Sequence, residues 1–141
     1  MNSKIRLNEK MQFVGTGGSG HSILFDAKEE SGGKDSAVRP IETMVMSVGA
    51  CSGMDVVSIL RKMKQKIINF EVRLNYNRKN EHPKPIDRLK LKYKVWGDIQ
   101  ERKLEKAINL SLDKYCGAIN SLKKEIEVDY EYEIIGQIDD K

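Results

Sequence analysis

The segment from Pro40 to about Lys66 constrains the fold more than any other part of the chain. Apolar side chains surround its predicted helical axis instead of forming one stripe, and a helix of this kind is buried on most sides. They are Met44, Val45, Met46, Val48, Ala50, Met54, Val56, Val57, Ile59, Leu60 and Met63. Pro40 suits a first helical turn because its missing N–H would have no intrahelical partner there. We therefore predict one long, buried helix at the centre of the fold.

Strand patterns lie on both sides of this helix in the sequence. Short segments that favour strands precede it, at residues 4–8, 11–15 and 21–26. Strict alternation of apolar and polar residues follows it, at residues 70–76, 89–95 and 126–134. Such alternation indicates one buried and one solvated face, as antiparallel sheets allow. The solvated face of 89–95 is basic and that of 126–134 is acidic, so we predict that these two strands are neighbours.

A second helix is predicted over residues 101–122, where apolar residues recur as a single stripe. Cys116 lies at the edge of this stripe and should face the core. With 141 residues the chain is expected to form one domain, residues 1–141, of the α+β class. We expect a curved, mostly antiparallel sheet around the long helix, with the cysteine-bearing helix packed alongside. The amount of apolar surface favours a homodimer in which a partner covers part of it. The tail, 138–141, is expected to be frayed.

Charge and hydropathy exclude several classes of partner. The 25 Lys and Arg residues are mixed with 21 Asp and Glu residues, which gives a net charge of +4 without a one-signed patch. Nucleic-acid binding is therefore not expected. Ser47, Ser52 and Asp55 interrupt the longest apolar run, so no membrane span is expected. The first six residues lack the apolar stretch of a signal peptide. We therefore expect a cytoplasmic protein whose thiols are kept reduced.

The histidines and cysteines do not match the spacing of a metal site. The chain has two of each, and Cys51 and Cys116 are far apart in the sequence. Because a zinc site of the usual kind needs four suitable ligands at close spacing, neither a metal nor another cofactor is expected. His21 is interpreted as an ordinary strand residue and His82, before Pro83, as a turn residue. The glycine-rich residues 15–20 lack the Lys-Ser/Thr ending of a phosphate-binding loop and are interpreted as a hairpin connection.

Cys51 carries the most reactive type of side chain in the long helix. Gly49 and Gly53 flank it, and each costs helix propensity, which indicates close approach of another part of the chain or a local break. The hydroxyl of Ser52 and the carboxylate of Asp55 are nearby in sequence. A reactive thiolate requires positive charge or hydrogen-bond donors that lower its pKa. The pattern alone leaves open whether Cys51 is an inert core cysteine or a reactive thiol.

Two segments resemble the cysteine-bearing helices of the OsmC/Ohr family, the osmotically inducible and organic hydroperoxide resistance proteins. Residues 40–56 read PIETMVMSVGACSGMDV and resemble the helix with the first cysteine. Residues 107–116 read AINLSLDKYC and resemble the helix with the second cysteine. The predicted order of strands and helices matches that family from about residue 3 to residue 135. On these two motifs the chain is identified as a divergent member.

The resemblance implies an intertwined homodimer that reduces organic hydroperoxides, as a peroxiredoxin-like oxidoreductase of the oxidative stress response. In this interpretation Cys51 is the peroxidatic thiolate, which a peroxide oxidises to a sulfenic acid. Cys116 is the resolving thiol, and a dithiol such as dihydrolipoamide reopens the resulting disulfide. The resemblance implies no metal and no bound organic cofactor.

Two departures from the family pattern concern activation of the thiolate. Peroxidase members carry Asn-Pro-Glu before the helix, whereas this chain has Arg39, Pro40, Ile41 and Glu42. Nine residues of helix, about 13.5 Å, would place Glu42 on the opposite side from Cys51 unless the helix breaks or the partner chain supplies the acid. Those members also carry an arginine in a Gly-Gly-Arg strand, and the corresponding residues 11–14 here have none.

Two functional hypotheses follow from these departures. In the first, the protein is a thiol peroxidase in which Arg39, or a base from the partner chain, activates Cys51. In the second, it is a small-molecule binding or sulfur-handling dimer that retains the fold without peroxidase activity.

Overall fold

The computed structural model describes residues 1–136. The segment 138–141, which we expected to be frayed, lies outside the described residues. The chain divides into two compact units, Met1–Met44 and the remainder from Val45 onward.

The first unit contains a three-stranded antiparallel sheet. Its strands are β1 (Lys4–Glu9), β2 (Gln12–Thr16) and β3 (Ser22–Phe25), in the order β1-β2-β3. These are the three short segments predicted ahead of the long helix. The glycine-rich residues connect the antiparallel strands β2 and β3, so their interpretation as a hairpin connection is confirmed.

The long helix, α1 (Pro40–Lys62), is continuous through both glycines that flank Cys51. It ends four residues earlier than predicted, because Lys64 adopts a positive φ of 59° and the next strand begins at Lys66. A Cβ atom on Gly49 would lie 2.5 Å from Leu74 Cδ1, and one on Gly53 would lie 3.4 Å from Val72 Cγ2. Close approach of a neighbouring strand, not a break, therefore explains the two glycines.

Within the single chain, α1 buries one face and leaves another open. Its buried residues are Val45, Val48, Gly49, Ser52, Gly53, Val56 and Leu60. On the open face, Met46 is 45% exposed and Met54 is 74% exposed. By length and mean hydropathy alone, 1.5 in its most apolar window, α1 would be able to cross a membrane. The central helix of a soluble protein also meets this criterion.

The second unit contains the other sheet, with strands β4 (Lys66–Arg78), β5 (Ile86–Asp98) and β6 (Glu127–Ile135) in that order. Strands β4 and β5 are antiparallel, whereas β5 and β6 are parallel because a helical crossover connects them. The predicted pairing of a basic with an acidic strand is confirmed. Lys90 Nζ lies 3.2 Å from Glu131 Oε2, and Lys92 Nζ lies 3.8 Å from Glu133 Oε2.

The crossover between β5 and β6 is not the single helix predicted over residues 101–122. It consists of α2 (Glu101–Leu110), a π-helical turn (Ser111–Tyr115) and a short helix α3 (Gly117–Asn120). Cys116 interrupts the helical path, with an extended conformation of φ −72° and ψ 100°. The apolar stripe continues past the break, which is why the pattern predicted one helix. Cys116 is fully buried, so its predicted orientation towards the core is confirmed.

We expect Gly49→Ala to lower the free energy of unfolding by about 1 kcal/mol. Overpacking against Leu74 costs about 1–3 kcal/mol, and the better helix propensity of Ala recovers about 1 kcal/mol. Gly117→Ala is the matched control, because a Cβ atom at that residue would meet no neighbouring atom within 4 Å. It should stabilise the protein by about 0.5–1 kcal/mol. Urea unfolding measures both, and equal effects would show that Leu74 moves aside freely.

Candidate active site

Cys51, Asp55 and Cys116 converge at one place in the second unit. Helix α1 presents Cys51 and Asp55 on the same face, because residues four apart are neighbours on a helix. The break after the π-helical turn brings in Cys116. The two sulfur atoms and a carboxylate oxygen of Asp55 all lie within 4.8 Å of one another. Cys116 is fully buried, whereas Cys51 and Asp55 are half-buried.

The break in the second helix orients the Cys116 thiol. The Cys116 N–H donates to the Ser111 carbonyl at 2.7 Å, across the wide π-helical turn. Beyond the break, Cys116 caps α3, and its Sγ accepts a hydrogen bond from the Ile119 N–H at 3.5 Å. Single π-helical turns are frequent at functional sites, where they re-aim a side chain. Here the turn directs the second thiol towards the first.

Burial raises the pKa of the Cys116 thiol to about 11, and the adjacent Cys51 thiol contributes to the rise. A thiol that is harder to ionise in the folded than in the unfolded protein stabilises the fold while it remains protonated. This contribution is complete below the ordinary value of about 9.0 and is lost as the pH rises towards 11. At neutral pH, Cys116 is therefore a protonated thiol.

The pH dependence of stability tests this protonation state. Between about pH 8 and about pH 10.5, the wild-type protein should lose on the order of 1–2 kcal/mol more unfolding free energy than Cys116→Ser. Urea unfolding of the two proteins at each pH measures the difference, since other titrating groups are common to both. Parallel curves for the two proteins would contradict the raised pKa.

A chain of buried hydroxyl groups leads from the sheet to Asp55. Tyr93 Oη lies 2.5 Å from Ser52 Oγ, and Ser52 Oγ lies 2.9 Å from Ser111 Oγ. Ser111 Oγ donates to Asp55 Oδ2 at 2.9 Å. Tyr93, Ser52 and Ser111 are fully buried, and burial raises the pKa of Tyr93 to about 12. The Tyr93 hydroxyl is therefore protonated and available as a donor.

The number of protons that each group can donate determines the direction of the hydrogen bonds from Tyr93 to Asp55. Each hydroxyl group donates a single proton, and an ionised carboxylate only accepts. Because the Ser111 proton points to Asp55, Ser52 must donate to Ser111, and Tyr93 must then donate to Ser52. All donors point towards Asp55 and hold one of its oxygens in place. The sequence indicates Ser52 and Asp55 as neighbours of Cys51, but the roles of Tyr93 and Ser111 were not predicted. The signal was two serines within apolar stripes and a tyrosine on a buried strand face, since buried polar groups require partners.

The site is rich in groups that carry negative charge when ionised. Among residues 1–136, no hydrogen bond or ion pair joins an Arg or Lys side chain to Cys51, Asp55 or Cys116. A cavity of about 450 Å³ opens beside Asp55, and Lys62 lies on its wall. Within the described chain, the charge that would activate Cys51 is therefore not in contact with it.

Arg39 and Glu42 form their own cluster at the start of α1. Glu42 Oε2 accepts a hydrogen bond from the Arg39 N–H at 3.1 Å, which satisfies a free donor at the helix N-terminus. The Arg39 guanidinium donates to Asp35 at 2.6 Å and to the Ala37 carbonyl at 2.9 Å. These hydrogen bonds all stay within residues 35–42. A role for either residue beside the thiols stays a prediction.

An apolar groove of about 510 Å³ runs between the open face of α1 and strand β4. Met46, Met54 and Val57 line it on the helix side, and Phe70 and Leu74 line it on the strand side. Gly49 and Gly53 form its floor. The groove lies on the same helix as Cys51 and offers an apolar surface for a ligand or another protein chain.

The sequence matches the family model described as OsmC-like protein over residues 33–131. The chain belongs to the OsmC-like protein family. Its OsmC-like sequence is 35% identical to protein YhfA of Escherichia coli K12 over 136 residues, which cover 96% of this chain and 98% of YhfA.

Solved structures share the OsmC-like fold of this chain. A crystal structure of a protein from Aquifex aeolicus VF5 has a TM-score of 0.85 and 27% identity, with 97% of each chain covered. The organic hydroperoxide resistance protein OhrB of Bacillus subtilis has a TM-score of 0.66 at 13% identity, with 94% of this chain and 96% of OhrB covered. The family and the α+β fold, mostly antiparallel with the cysteine-bearing crossover beside the sheet, are therefore as the sequence predicted.

Proposed function

We propose that this OsmC-like protein is a thiol-dependent peroxidase that reduces organic hydroperoxides in the cytoplasm. The observation that carries the proposal is the convergence of Cys51 and Cys116, from two different elements, with their sulfur atoms within 4.8 Å. A disulfide requires the two sulfurs at about 2.05 Å, so they must approach each other by at most about 2.75 Å. The names of fold relatives, such as the organic hydroperoxide resistance protein OhrB, point to the same chemistry.

The proposed reaction consumes one hydroperoxide and one dithiol per cycle. The Cys51 thiolate attacks the terminal peroxide oxygen, the O–O bond breaks, and the departing alkoxide takes a proton to give an alcohol. Cys51 is left as a sulfenic acid. The Cys116 sulfur, on losing its proton, then attacks the Cys51 sulfur, and water leaves as the disulfide forms. A dithiol such as dihydrolipoamide reduces this disulfide by exchange and is itself released as a cyclic disulfide.

Activation of Cys51 requires positive charge or hydrogen-bond donors beside the thiol. We propose that the protein acts as a homodimer and that Arg39, or a basic group of the partner chain, supplies this charge. The open apolar face of α1 supports the dimer, because contiguous exposed apolar surface marks an interaction site. Glu42 would act in this arrangement by orienting the activating cation.

The alternative function is a small-molecule binding or sulfur-handling module without peroxidase activity. The contacts of Cys51 favour it, because among residues 1–136 no Arg or Lys side chain forms a hydrogen bond or ion pair with the thiol that would activate it. The apolar groove between α1 and β4 would then hold the ligand.

Steady-state turnover of cumene hydroperoxide with dihydrolipoamide separates the two functions. A peroxidase should consume one dithiol for each hydroperoxide reduced, at a rate proportional to protein concentration. Hydrogen peroxide should be a poorer substrate, and reactions lacking the dithiol should stop after one equivalent of hydroperoxide per chain. A wild-type rate equal to that of the reagents alone would reject the peroxidase and favour the binding module.

A further inference from the structure

We propose that Cys51, Asp55 and Cys116 form a three-ligand binding site for Zn²⁺ when both thiols are reduced. The three potential ligand atoms lie within 4.8 Å of one another. Ligand atoms around a tetrahedral zinc ion with Zn–S and Zn–O bonds of about 2.3 and 2.1 Å stand about 3.5–3.8 Å apart. Side-chain shifts of about 1 Å therefore suffice to close the three atoms around one ion.

The chemistry of these ligands selects the ion. Thiolates bind Zn²⁺ and Cu⁺ well, whereas a carboxylate oxygen favours Zn²⁺ over the softer Cu⁺. When ionised, two thiolates and a carboxylate would repel one another, and among residues 1–136 no Arg or Lys side chain forms a hydrogen bond or ion pair with them. A divalent cation at their centre removes this repulsion. The two sulfur atoms and the carboxylate therefore match the ligand set of a bound zinc ion.

The hydrogen bonds around the proposed ligands also support a metal site. Metal-binding carboxylates are commonly held by further hydrogen bonds that fix their orientation. Ser111 donates to Asp55 at 2.9 Å and is itself fully buried and supported by Ser52. The Ile119 N–H donates to Cys116 Sγ, a contact that stabilises a coordinated thiolate. A disulfide between Cys51 and Cys116 has no need of an oriented Asp55, whereas a metal site does.

A metal site also requires a path by which the ion reaches its ligands, and the cavity beside Asp55 provides one. It has a volume of about 450 Å³ and is bounded by Leu110 and Tyr115 on the side of the second helix. Zinc sites with three protein ligands keep a fourth position for water or a substrate. Because Asp55 lines this cavity, the cavity is the route by which the ion and its fourth ligand would reach the carboxylate.

The site was missed in the sequence because the ligands are distant along the chain and include no histidine. Zinc binding does not depend on the proposed peroxidase activity, and it excludes a disulfide between the same sulfurs. A zinc-loaded protein should therefore resist both alkylation and oxidation of its thiols. The zinc experiment uses neither hydroperoxide nor dithiol substrate, so its failure leaves the proposed function untouched.

Zinc titration of the metal-free, phosphine-reduced, full-length protein, in competition with a chromophoric chelator, tests the proposal. We expect one Zn²⁺ per chain. Cys51→Ser and Cys116→Ser should each weaken binding at least about 100-fold, and Asp55→Asn about 10–100-fold. Asp113→Asn, an exposed aspartate on the π-helical turn, is the matched control and should bind as the wild type does. Circular dichroism confirms that each variant is folded.

Cobalt substitution of the wild-type protein keeps the test independent of the variants. Two thiolate ligands should produce intense sulfur-to-cobalt charge-transfer absorption, and bound zinc should slow alkylation of both cysteines at least about 10-fold. Binding well below one equivalent, absence of the charge-transfer band, or zinc affinity unchanged in folded Cys51→Ser would each overturn the proposal.

Discussion

Cys51→Ser is expected to lower dihydrolipoamide-dependent turnover of cumene hydroperoxide at least about 10³-fold. The serine hydroxyl is far less nucleophilic than a thiolate, and removal of a covalent nucleophile eliminates the chemical step that all later steps require. The side chains have nearly the same shape, and Cys51 is only half-buried, so the variant should fold normally. Thermal unfolding checks this, and coupled loss of turnover and stability would point to a structural role.

Cys116→Ser distinguishes a resolving cysteine from a second structural thiol. With Cys51 intact, the variant should consume one hydroperoxide per chain and then stop as a sulfenic acid, which a dimedone adduct on Cys51 reports by mass spectrometry. Wild-type protein treated with one equivalent of hydroperoxide should instead show a Cys51–Cys116 disulfide. Wild-type rates in Cys116→Ser would contradict the role assigned to Cys116, and wild-type rates in Cys51→Ser would contradict the proposed mechanism.

The sequence predicted the elements that apolar periodicity controls. Helix α1, the short strands of the first unit and the alternating strands of the second unit follow from the spacing of apolar residues. The lysines of β5 and the glutamates of β6 also identified these strands as neighbours, because opposite charges on adjacent strands attract. Charge complementarity does not indicate whether two neighbouring strands are parallel or antiparallel. The parallel pairing of β5 with β6 depends on the length of the crossover between them.

The geometry of the candidate site was less predictable, because it depends on departures from regular periodicity. A π-helical turn and an extended Cys116 change the direction of the second thiol without disturbing the apolar stripe from Leu104 to Ile119. Sequence spacing places Cys51 and Asp55 together but gives no distance to Cys116. The chain of hydroxyls from Tyr93 to Asp55 joins a strand, α1 and the π-helical turn. Only tertiary packing brings such groups together.

Ser52→Ala is expected to lower the free energy of unfolding by about 2–4 kcal/mol. The substitution leaves the Tyr93 hydroxyl donor unsatisfied, which costs about 1–3 kcal/mol, and removes a bond that Ser111 accepts, which costs about 1 kcal/mol more. Ser58→Ala is the matched control, an exposed serine on the same helix, and should change stability by less than about 0.5 kcal/mol. Urea unfolding at constant m value measures both, and similar small losses would contradict the buried hydrogen-bond chain.

The direction of donation along the hydroxyl hydrogen-bond chain predicts different stability losses for substitutions of Ser52 and of Tyr93. In Tyr93→Phe, Ser52 still donates to Ser111 and loses only a bond that it accepts, so the cost should be about 1 kcal/mol. In the double variant Ser52→Ala/Tyr93→Phe, the tyrosine hydroxyl that Ser52→Ala would have left unsatisfied is gone. The double variant should therefore be no less stable than Ser52→Ala alone, with a coupling energy of about 1 kcal/mol or more. Additive losses would mean that the two hydroxyls do not share a hydrogen bond, and the orientation of Asp55 beside the thiols would then depend on Ser111 alone.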